Sequence, residues 1–259
     1  MRGDQPIVSV RGLTVGFGDR NVLENVDLDV HRREVLGIVG GSGSGKSVLL
    51  RTIIGLLPKR AGTIELFGQD IDRLTTAELR LLERRCGVLF QQGALFSSLT
   101  VKQNIQFQMR EALDLSQRLL DEMAVAKLEM VGLTAADGDK WPAELSGGMV
   151  KRAAMARTLA LDPEFVFLDE PTSGLDPISA GDVDDMIATL QATLGLTVFM
   201  VTHDPASLKN ICDRIVVIAG GGIVADGTMD DMLAHDHPWV QSYFRGRHTA
   251  GHAQDKQGR

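Results

Sequence analysis

The chain opens on alternating apolar and polar positions. Ile7, Val8, Val10, Leu13 and Val15 precede Gly16-Phe17-Gly18-Asp19, and Val22, Leu23, Val26, Leu28 and Val30 follow it. A period of two around a glycine-bearing interruption predicts antiparallel strands joined by a turn. Residues 35–39 are nearly all apolar, the pattern of a short buried strand, and residues 48–54 carry apolar positions at helical spacing. Short strands are also predicted at 62–68 and 88–90. From about 101 to 160 the pattern is helical, with Leu119, Leu120, Met123, Ala126, Leu128, Met130 and Val131 in apolar positions. Gly132, Asp137-Gly138-Asp139 and Pro142 interrupt it. After Pro163, strand and helix alternate: strands at 165–168, 197–201 and 215–218, and helices near 179–194 and 205–212. That series predicts an α/β fold with a parallel sheet covered on both faces. Residues 246–259 are polar and aperiodic, which predicts a loose tail. There is no internal repeat and no heptad run.

Composition narrows the function classes. The 259 residues are 44% hydrophobic and 24% charged, enough to bury one large core or two small ones. A net charge of −7 argues against a nucleic-acid partner, because a phosphate backbone calls for a basic face. The two cysteines, Cys86 and Cys212, stand in apolar settings and are too few for a disulfide framework, so a reducing, cytosolic location is expected. The first residues show no basic start leading into an apolar stretch, and no secretory signal is expected. No apolar run approaches the roughly 18 residues that cross a bilayer. Work at a membrane would need a partner as anchor.

Between the strand at 35–39 and the helix at 48–54 stand Gly40-Gly41-Ser42-Gly43-Ser44-Gly45-Lys46-Ser47. This is the phosphate-binding pattern G-x-x-x-x-G-K-[ST] in its strand–turn–helix context. Glycines let successive backbone N–H groups converge on one anion, and the helix N-terminus adds partial positive charge. Lys46 would reach the outer phosphates, and the Ser47 hydroxyl would take a magnesium position. The chain is therefore expected to bind a nucleoside triphosphate. The strand at 165–168 ends in Asp169-Glu170. Ligands in open α/β sheets sit at strand carboxyl ends. Asp169 would hold Mg²⁺ beside the loop, and Glu170 would polarise the attacking water as general base.

Leu145-Ser146-Gly147-Gly148-Met149, followed by residues 152–157, resembles the signature motif of ATP-binding cassette (ABC) ATPases. The resemblance covers residues 7–245 and implies the remaining assignments. The implied fold is a P-loop NTPase (RecA-like) core, about 1–90 and 162–245, with an antiparallel β subdomain. An inserted α-helical subdomain would span about 91–161, and 246–259 would be a flexible tail. Phe17 resembles the aromatic that stacks on adenine, although taken alone it reads more often as a core aromatic than as a stacking platform. Gln91 resembles the glutamine at the junction of core and helical subdomain, with catalytic and magnesium roles. Ser173-Gly174-Leu175-Asp176 is similar to the loop that signals across the dimer, with Asp176 at the nucleotide. His203 resembles the switch histidine that contacts the γ-phosphate and holds the water and Glu170 in register. Ser146, Gly147 and Gly148 would close on the ATP held by loop 40–47 of a second copy, which makes the protein a homodimer. Two positions depart from the common pattern: Met149 replaces the usual glutamine, and Phe17 replaces the more frequent tyrosine.

The absence of inserted coiled coils and of a second cassette leaves a separate transporter subunit. Residues 89–96 with 99–101, residues 40–50, residues 149–154 and the ending 238–246 resemble the group that drives phospholipid and Mce-type transport. That resemblance implies an ATPase at the cytoplasmic face of a bacterial inner membrane, beneath an integral-membrane permease. Accessory and periplasmic lipid-binding subunits would be further partners. The alternatives are another transporter (polar solute uptake or lipoprotein release) or a regulatory, non-transporting cassette of the division-associated type. Leu95, Phe96 and Leu99, in 93–104, are expected either to form a permease-binding groove or to be an ordinary apolar edge.

Overall fold

The structure, a computed structural model, describes residues 5–251. The alternating N-terminal pattern folds as the hairpin β1 (Val8–Phe17) and β2 (Arg20–Val30). With β4 (Ala61–Leu66) and β5 (Gln69–Asp70) it makes a four-stranded antiparallel sheet in the order β2-β1-β4-β5. Val8, Val10, Leu13 and Val15 are all buried; the period of two changes phase between Val10 and Leu13, where the β1–β2 register shifts and returns the side chains to the same face.

The second sheet has six strands in the order β10-β9-β3-β8-β7-β6. They are β3 (Val35–Gly40), β6 (Cys86–Leu89), β7 (Phe165–Asp169), β8 (Thr197–Val201), β9 (Arg214–Ala219) and β10 (Gly222–Gly227). Every pairing is parallel except that of β10 with β9. Every residue of β3, β7 and β8 is buried, the consequence of covering a parallel sheet on both faces.

Alternation along β7 divides the core. Val166 and Leu168 join a cluster with Val198 and Met200 and with helix α6 (Pro177–Leu194). Helices α3 (Val101–Ala112), α4 (Gln117–Met130) and α5 (Gly147–Thr158), inserted between β6 and β7, pack into this same cluster. Phe165 and Phe167 point the other way, toward Phe199, helix α1 (Lys46–Ile53) and the antiparallel sheet. Their rings form a ladder with centroids 4.3 and 5.6 Å apart. A third cluster gathers Val39, Leu208 of α7 (Pro205–Ile211), Ile215 and Val217 under α8 (Met229–Ala234) and α9 (Pro238–Gly251).

The βαβ pattern after Pro163 and the inserted helices stand where the periodicity predicts them. Helix α2 (Thr76–Glu83), β10, α8 and α9 lack a predicted counterpart. Each is short or buries only one or two side chains, so its apolar signal is weak. Helix α9 carries the chain into the stretch predicted as a loose tail, because Val240 and Phe244 dock its first turns. The remainder of that stretch, 252–259, lies outside the described residues. Among the described residues no helix is long and apolar enough to cross a membrane.

Candidate functional site

The glycine loop leaves the end of β3 and turns directly into α1. Its tightness is visible at two positions. A β-carbon at Gly40 would stand 2.3 Å from the Ile218 carbonyl oxygen and 2.5 Å from Ser44 Oγ. Gly45, which caps α1, has φ 105°, in the left-handed region that only glycine enters without strain. Lys46 Nζ folds back over the loop and donates to the carbonyls of Gly40 (2.9 Å) and Gly41 (3.0 Å). Burial lowers the Lys46 pKa, and the nearby Glu170 and Asp169 carboxylates oppose that shift. Ser44 Oγ is buried without a hydrogen-bond partner in the chain. A buried hydroxyl, a lysine and curled backbone around one point form a cradle with donors to offer, and an anion fits it.

The strand carboxyl ends bring the acids to this loop. Asp169 is 4% exposed, and burial raises its carboxyl pKa; Arg51, a hydrogen bond from Ser47 and Lys46 pull it back, while Glu170 pushes it further up. Ser47 and Asp169 thus present two hard oxygen donors side by side, the chemistry a magnesium ion selects. Glu170 has φ 53°, a left-handed backbone rare for a residue with a side chain. Its N–H donates to the Val201 carbonyl at 2.8 Å, so the turn off β7 is anchored to β8. His203 lies two residues past β8 and its Nδ1 is 2.7 Å from Glu170 Oε2.

The other predicted residues are distributed around this centre. Phe17 is 55% exposed at the hairpin end and pairs with Arg20. Next to it a cavity of about 710 Å³ is lined by Arg20, Val22, Ser42, Gly43, Ser44 and Gly221, among others. The phenyl ring is not in the core. Ser146 caps α5, accepting from the Met149 N–H at 3.3 Å. A β-carbon on Gly147 would stand 3.2 Å from Leu175, and one on Gly148 4.0 Å from Ser179. The chain therefore sets its own Ser146–Gly148 segment beside the 173–179 turn. Asp176 caps α6, accepting from the N–H groups of Ile178 and Ser179 (3.0 Å each) and from Ser179 Oγ (2.6 Å). These bonds, the Ser179 hydroxyl first, hold its carboxyl below the ordinary range.

Lys151 is a functional candidate that motif reading treats only as part of a pattern. It is 5% exposed on α5, and its Nζ donates to the Gln91 carbonyl and, at 3.2 Å, to the Glu170 carbonyl. One buried cation thus ties the signature helix to the Gln91 loop and to the turn that carries Glu170. Arg157, one face further along α5, donates to the carbonyls of Gly93 (2.7 Å) and Ala94 (2.6 Å). The sequence signal is a lysine that shares a helix face with Ala154 and Met155, apolar positions three and four residues on.

Comparison with known proteins agrees with this geometry. Residues 23–173 match the ABC transporter family. The chain is 40% identical to the intermembrane phospholipid transport system ATP-binding protein MlaF of Haemophilus influenzae, over 94% of this chain and 92% of that protein. It is 37% identical to MlaF of Escherichia coli K12 (93% and 89% covered). A probable ribonucleotide transport ATP-binding protein, mkl of Mycobacterium leprae, is 38% identical over 93% of this chain and 69% of its own length. Among solved structures, cbiO1 of Clostridium perfringens, part of the cbiONQ ABC transporter complex, superposes with TM-score 0.81 at 28% identity, covering 97% of this chain and all of that one. The ATP-binding cassette MJ0796, as a post-hydrolysis dimer bound to ADP and Pi, gives TM-score 0.77 at 28% identity over 85% of this chain and 98% of that one. The chain belongs to the ABC transporter family, as an ATP-binding and ATP-hydrolysing subunit.

Proposed function

We propose that this subunit hydrolyses MgATP as a homodimer beneath an integral-membrane permease and powers phospholipid transport. The observation that carries the hydrolytic part is the His203–Glu170 pair beside a loop whose lysine and buried serine face one point. Loop 40–47 grips the phosphates, Lys46 releases its bonds to Gly40 and Gly41 to reach the outer ones, and Phe17 stacks on adenine. Ser47, Asp169 and Gln91 would hold Mg²⁺, which would supply positive charge against the phosphates. Glu170 takes a proton from the attacking water as its oxygen bonds to the γ-phosphorus and the bond to ADP breaks. His203 orients the Glu170 carboxylate and the γ-phosphate. Ser146, Gly147 and Gly148 of the second copy complete the phosphate shell, and Asp176 lies at that interface.

Phospholipid is favoured over other cargo because the chain spans nearly the whole of the phospholipid-transport relatives but about two thirds of mkl. The permease contact is proposed at an apolar groove of about 670 Å³ lined by Ile54, Leu56, Leu79, Phe90, Phe96 and Phe107, among others. Phe96 and Phe107 are both exposed there, with ring centroids 4.9 Å apart. A cytoplasmic, peripheral location on the inner membrane follows from that docking, and periplasmic lipid-binding subunits would complete the system. The test is reconstitution of the subunit with its permease in vesicles carrying fluorescent phospholipid. ATP-dependent lipid movement that stops with Glu170→Gln supports the reading. Normal transport by that variant refutes the assigned base, and ATP hydrolysis without lipid movement refutes the cargo.

A further inference from the structure

Helix α9 reaches the nucleotide site from outside the motifs that define it. Val240 and Phe244 are buried among Val39, Leu208, Ile215 and Val217, and these contacts fix the first turns of the helix to the sheet. Arg245 donates to the Leu233 carbonyl from two nitrogens, at 3.0 and 2.8 Å, which ties α9 to α8. Residues four apart share a helix face. On that face the Trp239 and Tyr243 rings stack, with centroids 4.9 Å apart and planes 13° apart.

The stacked pair bonds one half of the site and stands beside the other. Tyr243 Oη donates to the His203 backbone carbonyl at 2.7 Å. The Trp239 indole nitrogen lies 3.5 Å from where a β-carbon on Gly41 would stand, which places the ring beside the phosphate loop. Residues 202–204 lie beyond β8, so the strand ladder does not hold the His203 carbonyl. Its orientation, and with it the direction of the imidazole that meets Glu170, depends on local contacts of this kind. Gly41 in turn sits two residues past Val39, which is packed under α9.

We infer that Trp239 and Tyr243 form a positioning clamp that sets His203 against the phosphate loop. Neither side chain is a catalytic residue; Tyr243 acts through His203, and Trp239 spans the distance to Gly41. The inference rests on the proposed role of His203 in hydrolysis. Because a rigid aromatic pair links the two, movement of α9 relative to the sheet changes the spacing between the γ-phosphate grip and the switch histidine.

Tyr243→Phe keeps the ring stack and removes only the hydroxyl. It should lower kcat for ATP by about three- to tenfold, the usual weight of one hydrogen bond, with KM for MgATP within about twofold. The same substitution made in a His203→Ala background should cause no further loss. The chain has two tryptophans, so Trp141→Phe leaves Trp239 as the single emitter. Its fluorescence should respond to MgATP, and the response should disappear with Lys46→Ala. The clamp is overturned if Tyr243→Phe leaves kcat unchanged in the otherwise native protein, or lowers it equally in both backgrounds. Silence of the Trp239 signal on saturating MgATP overturns the contact with the loop. If His203→Ala itself hydrolyses ATP normally, the reading of the catalytic site fails instead, and the two failures are told apart.

Discussion

His203 Nδ1 meets Glu170 Oε2 at 2.7 Å, and the two residues stand just beyond the ends of the neighbouring parallel strands β8 and β7. Strand pairing brings them together: Asp169 is opposite Val201, and the Glu170 N–H bonds the Val201 carbonyl. A contact across 33 positions of sequence is thus held by one rung of a buried ladder. The imidazole faces the carboxylate proposed as the general base and fixes its direction. Glu170→Gln should retain MgATP with affinity near that of the native protein and lose at least about 10²-fold in kcat. Single-turnover hydrolysis with ATP-binding titration checks it.

Lys151 offers a second test. Removing its ammonium leaves the Gln91 and Glu170 carbonyls without their shared charged donor in a partly buried setting, a loss of about 1 kcal/mol. Lys151→Met should lower kcat by tenfold or more and reduce the midpoint of thermal unfolding. Lys151→Arg keeps the charge and donors but brings a larger, planar head into a buried slot, so it should recover only part of both. Equal kcat for the methionine and native proteins would contradict this linkage.

The glycines of the loop should differ sharply in tolerance. Gly40→Ala drives a methyl into the Ile218 carbonyl and Ser44, so ATP affinity should fall by well over tenfold. Gly43 has φ 74° but open space around its α-carbon. Gly43→Ala therefore meets only backbone strain, about 1 kcal/mol, and should weaken binding far less. Fluorescent-nucleotide titration of the two variants compares them directly.

Asp184 gives a pH signature. Its carboxyl is 3% exposed on α6, one oxygen accepts from Ser207 Oγ at 2.7 Å and the other has no partner. Burial pushes its pKa up to about 6. The native state then binds this proton more tightly than the unfolded chain, so stability is greatest at low pH for this group and falls as pH rises through 6. Asp184→Asn removes the buried charge. It should stabilise the protein at pH 8 by on the order of 1–2 kcal/mol, and the difference should close by about pH 4. Thermal unfolding across that range would expose a constant difference, which this account does not allow.

At the groove, Phe96→Asp puts a charge among Ile54, Leu56 and Phe107. Co-purification with the permease should be lost while nucleotide binding by the isolated subunit is unchanged. Retained co-purification would return this surface to an ordinary apolar edge.

Local pattern determined a large part of this molecule. The loop 40–47, the acids after the strand at 165–168 and the alternation of strand and helix beyond Pro163 are written in contiguous residues, because phosphate binding and strand burial each need a fixed short pattern. The signature segment is legible for the same reason. Its cap, Ser146 on α5, and the cap of α6, Asp176, are local hydrogen bonds. Tertiary structure alone decided which distant residues share one site. Lys151 reaches Gln91 and Glu170 only because α5 packs in the core cluster that also holds Val166 and Leu168 of β7. Tyr243 reaches His203, 40 positions earlier in the chain, only because Val240 and Phe244 dock α9 on the core. Such contacts leave no periodic trace, since a lysine or tyrosine at one helical position reads the same whether it faces water or a carbonyl across the fold. Strand register and helix docking supply that information, and both are properties of the packed core.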